Sequence, residues 1–112
     1  MSDNQFALEI TVPEAAIADW ITLIEGMCEG QLGAYLEERL EAFNPAALEL
    51  MDSTLNDWCQ YSRPTFWGGG QHGNQLRCNA EGPSGFYQQL ETFKQALTLC
   101  GAQVKGRDKT LL

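Results

Sequence analysis

The stretch that decides the fold is 65–81, TFWGGGQHGNQLRCNAE. From Gln75 to Glu81 apolar and polar side chains alternate, which is the period of a half-buried β-strand. The pair Gly73-Asn74 supplies residues that a tight turn requires. The stretch therefore predicts a β-hairpin with strands over 65–71 and 75–81.

The glycine run Gly68–Gly70 allows two interpretations. Residues 68–73 match G-x-G-x-x-G, but a strand rather than a helix follows, and Asn74-Gln75 stands where a phosphate-binding loop needs Lys-Ser/Thr. Nucleotide binding is therefore not predicted. Glycine within a strand marks a bulge or a close backbone approach. The alternative is a bare backbone edge beside Trp67, open to a partner or a ligand.

The other elements are placed by the spacing of apolar residues. Alternation predicts strands over 6–12 and 102–107, and apolar stripes at helical spacing over 17–28, 32–43, 48–59 and 86–100 predict the helices that contain them. Thr11 with Glu14 has the pattern of a capping box. Asn44-Pro45 has the pattern of an N-cap followed by a first helical residue, and Gly101 that of a helix end.

The resulting order, β-α(αα)-β-β-α-β, predicts an α+β fold of the ferredoxin-like, split-βαβ type, with extra helix between the first two strands. The right-handed crossover rule places the helices on one face of an antiparallel sheet. We expect residues 1–112 to form a single domain with a loose tail at about 108–112.

The lack of a membrane-spanning segment and of a signal peptide predicts a cytoplasmic protein. No apolar run approaches the length of a membrane span, and MSDNQF lacks the features of a signal peptide. The cysteines, at positions 28, 59, 78 and 100, are then expected to be reduced thiols that pack as small apolar groups. Their spacing does not match paired zinc ligands, so neither a metal nor another cofactor is predicted.

Charge is distributed unevenly along the chain. Residues 1–60 contain 12 acidic residues and one basic residue, whereas residues 61–112 contain three acidic and six basic residues. The net charge of −8 argues against nucleic-acid binding through phosphates, which needs a basic face.

The glutamates of the first half fall into two groups at helical spacing. Glu25 and Glu29 are four residues apart, as are Glu37 and Glu41, and Glu38 adds to the second group. One interpretation is a solvated helical face. The leading functional hypothesis is an acidic surface that docks a basic protein partner, as an inhibitor, an immunity-type protein or an adaptor does. The predicted partner-binding residues are Glu25, Glu29, Glu37, Glu38, Glu41 and Trp67.

Catalytic chemistry is not predicted. His72 has a suitable pKa for a general base, but the hairpin register places it against Gln75 and places Cys78 near Gly69, about 10 Å away. Without a nucleophile at hand we predict no catalytic residue.

Two further hypotheses remain. One is a small-molecule-binding protein or small enzyme whose site lies between the sheet and the helices, near Trp67, His72 and Tyr87. The other is a homo-oligomer, such as a homodimer, assembled through sheet edges or faces.

Overall fold

The predicted hairpin is present in the computed structural model, which describes residues 4–60, 63–83 and 85–108. The described elements, in chain order, are β1 (Asn4–Thr11), a 3-10 turn (Glu14–Ala16), α1 (Ile17–Cys28), α2 (Ala34–Phe43), α3 (Pro45–Gln60), β2 (Thr65–His72), β3 (Gln75–Gly82), α4 (Phe86–Leu99) and β4 (Gln103–Asp108).

The sheet has the strand order β2-β3-β1-β4, and each neighbouring pair is antiparallel. Strands β1 and β2 are therefore parallel to each other with β3 between them, which is the split-βαβ arrangement. This order confirms the predicted α+β fold of the ferredoxin-like type. Two additional helices, α2 and α3, lie between α1 and β2 in the chain.

One face of the sheet carries the hydrophobic core. Phe6, Leu8 and Ile10 of β1 are at most 4% exposed, and the helices cover them together with the inward side chains of β3. Four aromatic rings pack at the centre of this layer, with centroids 5.7–6.4 Å apart: Trp58, Phe66, Phe86 and Phe93. Each buried large side chain contributes about 1.5–3 kcal/mol relative to exposure, so this layer supplies the main stabilisation of the fold.

The hairpin contains the bulge that the glycines indicated. His72 pairs with Gln75 as predicted, whereas Cys78 pairs with Gly68 rather than near Gly69. The register shifts between Gly68 and Gly70, and this one-residue shift explains the difference. Gly70 has a φ of +99°, a conformation that L side chains rarely adopt, so glycine is required there.

The predicted capping box at Thr11 and Glu14 is wrong. Thr11 is the last residue of β1 and pairs with Gln75. Asn74 holds the next residue in place, because its side-chain amide donates to the Val12 carbonyl and its carbonyl accepts from the Val12 N–H. The chain is thus held by the sheet up to Val12, and no side-chain hydrogen bond caps the 3-10 turn that follows.

Other helix ends agree with the sequence. Asn44 Oδ1 accepts a hydrogen bond from the Ala46 N–H at 3.0 Å, so Asn44 caps α3 and Pro45 is its first residue. Gly101 follows α4 with a φ of +104°. Cys59, predicted to pack as a small apolar group, is instead exposed, because its neighbour Trp58 occupies the core.

The C-terminal end differs slightly from the prediction. Asp108, expected to be loose, is the last residue of β4 and pairs with Phe6. The rest of the predicted loose tail, 109–112, lies outside the described residues. Within the described part of the chain, no helix is long and apolar enough to cross a membrane.

Candidate functional site

The five predicted glutamates all lie on the helical side of the molecule and are exposed. We call this set the acidic helical surface: Glu25 of α1, Glu29 directly after α1, and Glu37, Glu38 and Glu41 of α2. Within the described residues, none of the five carboxylates forms an ion pair or accepts a side-chain hydrogen bond. Their charges are therefore directed at solvent.

The two helices that carry these glutamates meet through Tyr35. Its ring packs on Gly26 of α1 so closely that a Cβ there would overlap it, and its hydroxyl donates to the Thr22 carbonyl. Arg39 lies over the same ring, with its guanidinium carbon 5.3 Å from the centroid. Arg39, the one basic residue of the first half, is thus held by an aromatic ring rather than by a glutamate.

The turn after α1 is fixed by a second cation. Gly30 has a φ of +91° and ends the helix, and the Arg63 guanidinium donates to its carbonyl. Arg63 therefore satisfies a carbonyl at the negative end of α1, which is a favourable position for a cation. Glu25, Glu29 and this contact therefore all lie at the C-terminal end of α1.

The charges of α1 also act on a thiol. Burial raises the pKa of Cys28, and the neighbouring carboxylates of Glu25 and Glu29 raise it further. Burial raises the pKa of Cys78 to about 12 and that of Cys100 to about 11. A raised pKa leaves these thiols protonated and weakly nucleophilic at neutral pH.

Trp67 does not lie beside the glutamates. It follows the buried Phe66 in β2 and pairs with Asn79, so its ring points to the side of the sheet that the helices leave open, where it is 37% exposed. The five glutamates thus lie on the helical side of the sheet, and Trp67 lies on the other side.

The three residues of the small-molecule alternative are also separated. His72 is exposed at the end of β2, on the same open side as Trp67. Tyr87 is on α4, and its ring lies 6.0 Å from that of the core residue Phe6. Trp67 and His72 therefore lie on the opposite side of the sheet from Tyr87, and not between sheet and helices. Cys78 is buried on the helical side, so His72 does not contact it.

The open face of the sheet has a different charge from the helices. Arg77 of β3 and Lys105 and Arg107 of β4 are exposed there, on either side of a groove with a volume of about 390 Å³. The floor of the groove includes Ala7, and Glu9 is the acidic residue among its walls. Half of the described basic residues thus face away from the acidic helical surface.

A smaller cavity that sequence reasoning missed lies between α1 and the glycine run of β2. Its volume is about 210 Å³. Ile21, Ile24 and Cys28 of α1 and Leu76 of β3 form its walls, and the exposed Glu25 lies at its rim. We call this cavity the α1–β2 slot. In the sequence, only the glycines at 68 and 70 pointed to this cavity. They indicated that side chains are missing from β2 but not which helix faces the space left open.

Neither a metal site nor a comparison with known proteins assigns a function to this part of the molecule. Across residues 4–60, 63–83 and 85–108, no group of three or more His, Cys, Asp or Glu side chains is placed to hold a metal ion. Comparison with protein-family models, with curated proteins and with solved structures finds no match.

Proposed function

We propose that this protein is a small protein-binding module, of the inhibitor, immunity-type or adaptor kind, that docks a basic partner through the acidic helical surface. The observation that carries the proposal is the exposure of all five glutamates without an ion pair among the described residues. Such carboxylates are fully available to cations of another molecule.

The arrangement of the charges suits association in particular. Glu25 and Glu29, and Glu37 and Glu41, are pairs of like charge one helical turn apart, which is mildly unfavourable for each helix by about 0.2–0.5 kcal/mol. A basic partner relieves this repulsion when it binds. A field of one sign also raises the association rate and selects against acidic partners more than it adds affinity.

A cytoplasmic location is part of the proposal. All four cysteines are free thiols, which supports a reducing compartment, because paired disulfides are typical of secreted proteins.

Capture of partners from a lysate of the native organism tests the proposed function. Wild-type protein and a variant with the five Glu→Gln substitutions at 25, 29, 37, 38 and 41 are compared at low and at high salt. We expect the wild type to retain a basic protein at low salt only, and the variant to lose it. Capture that is insensitive to salt and survives the five substitutions contradicts the proposal.

A second candidate is the binding of a small anionic molecule, which the groove on the open sheet face favours. Its three cations lie in one groove, and Asn79 at the edge of that groove pairs with the exposed Trp67 on the strand next to Arg77. A thermal-shift screen of organic phosphates and carboxylates tests this function. A shift that Arg77→Gln abolishes supports it, and the absence of any shift counts against it.

A further inference from the structure

The α1–β2 slot exists because side chains are missing from β2. Gly68 pairs with the buried Cys78, so a side chain at 68 would point toward the helices. A Cβ built at Gly68 meets no atom within 4 Å. The space that a strand residue normally fills is therefore open, and α1 does not close it.

The slot is apolar inside and charged at its rim. Ile21 and Ile24 line it from the helix, and Leu76 lines it from the sheet. The exposed carboxylate of Glu25 lies at its rim, whereas the Arg77 guanidinium is on the open side of the sheet, where it donates to Gln75 Oε1. The apolar lining disfavours any charged or polar group inside the slot, and the Glu25 carboxylate favours a cation beside its opening, so the slot suits an uncharged apolar occupant next to a basic residue.

The slot is also continuous with the acidic helical surface, because Glu25 belongs to both. Its volume, about 210 Å³, is below the roughly 300–1,000 Å³ typical of drug-sized ligands. It suits one large side chain. Hot spots of protein interfaces have this form, with an anchor side chain in a pocket and a polar rim around it.

We infer that the α1–β2 slot receives one large apolar side chain, of the leucine or phenylalanine class, from the basic protein partner that docks on the acidic helical surface. This inference rests on the proposed function. The glutamates then attract and orient a basic segment, and the apolar anchor within it supplies the contact that discriminates this partner from other basic proteins.

Two synthetic peptides of equal charge test the inference, Lys-Arg-Lys-Phe-Lys-Arg-Lys and the same peptide with alanine at its centre. Their affinities for the full chain are measured by titration calorimetry, and methyl NMR follows Ile21, Ile24 and Leu76. Burial of a phenylalanine side chain predicts that the first peptide binds about 10-fold more tightly. We expect the methyl shifts of these three residues with the phenylalanine peptide only.

Variants that fill the slot, and one matched control variant, test the same inference from the side of the protein. Gly68→Val occupies the open space from the strand and should reduce the affinity for the phenylalanine peptide to that for the alanine peptide. Cys28→Met fills the slot from α1 and serves the same purpose if the strand variant fails to fold. Thr65→Ile adds apolar bulk to the other face of β2 and should leave both affinities within about twofold of wild type.

Equal affinities of the two peptides for wild type overturn the inference, as does undiminished binding of the phenylalanine peptide to Gly68→Val or Cys28→Met. Failure of both peptides to bind also overturns it. If the peptides bind equally and the five Glu→Gln substitutions abolish that binding, the slot inference fails while the acidic surface keeps its proposed role. If the captured partner ignores those substitutions, the proposed function itself fails.

Discussion

The two glutamates at opposite ends of α2 allow the energetic effect of the acidic helical surface to be measured. Glu37 and Glu41 lie one turn apart, so each repels the other by about 0.2–0.5 kcal/mol. Glu37 is in the first turn, where the helix dipole favours a negative charge. Glu41 is in the last turn, where the dipole disfavours it by about 0.3–1 kcal/mol.

Glu41→Gln therefore removes two unfavourable interactions and should stabilise the protein by about 0.5–1.5 kcal/mol. For a domain of this size that corresponds to an increase in Tm of roughly 2–6 °C. Glu37→Gln relieves the same repulsion but loses a favourable interaction with the dipole, so it should leave stability nearly unchanged or slightly lower. Glu and Gln have similar helix propensities, which makes the two variants a matched pair.

Urea and thermal unfolding, followed by tryptophan fluorescence, measure both variants at low salt and at about 1 M NaCl. The Debye length at about 1 M is about 3 Å, so the difference between the variants should shrink there. Destabilisation by Glu41→Gln, or a gain that is the same at both salt concentrations, would refute the reasoning. Stabilisation would mean that the acidic helical surface opposes folding, as expected of a surface that serves binding.

Three further results are expected. Trp20→Phe should lower the free energy of unfolding, measured in urea, by about 1–3 kcal/mol less than Trp58→Phe. The buried Nε1 of Trp20 has no hydrogen-bond partner in the part of the chain that the structure describes, whereas Nε1 of Trp58 donates to Gln89 Oε1 at 2.8 Å. Equal losses of stability in the two variants would contradict this reasoning. Alkylation of the native protein, followed by mass spectrometry, should modify the exposed Cys59 first and the buried Cys78 last. The reverse order would contradict the exposure of Cys59 and the burial of Cys78. Burial raises the pKa of Cys78 from 9.0 to about 12, so the stability linked to its protonated form is present below pH 9 and is lost as the pH rises toward 12; Cys78→Ala should therefore lose less stability than wild type over that range, and equal losses would contradict the shift.

Local patterns in the sequence were sufficient for most of the fold. The alternation around Gly73-Asn74 predicted the hairpin, and Asn44-Pro45 predicted the start of α3. Turn and cap residues determine the conformation of the backbone next to them, so a short stretch of sequence is enough to predict their effect. Thr11 and Glu14 failed as a capping box because the competing contact came from Asn74, which is distant in the sequence. A local pattern does not contain that contact.

The candidate site depended more strongly on tertiary structure. Phe66 and Trp67 are adjacent and both aromatic, so the sequence did not decide which of them faces the core, and Trp67 could be assigned to either side of the sheet. The glycine run predicted a bulge, which the register confirms at Gly68 and Gly70. The α1–β2 slot could not be predicted from the sequence because it depends on the position of α1 over those glycines. That position is set by packing across the whole core.

The affinity of the captured basic partner for two charge-matched variants tests the central claim most directly. One variant carries Glu→Gln at 25, 29, 37 and 41. The other neutralises four exposed acidic residues elsewhere on the helical side, with Glu14→Gln, Asp19→Asn, Glu49→Gln and Asp52→Asn. Both lose four negative charges from the total of −8, so they differ in where the charge is removed. If the partner docks on the acidic helical surface, the first variant binds it at least about 10-fold more weakly and with reduced salt dependence. The affinity of the second variant stays within about threefold of wild type. Equal losses in the two variants, or full affinity in the first, would contradict the claim.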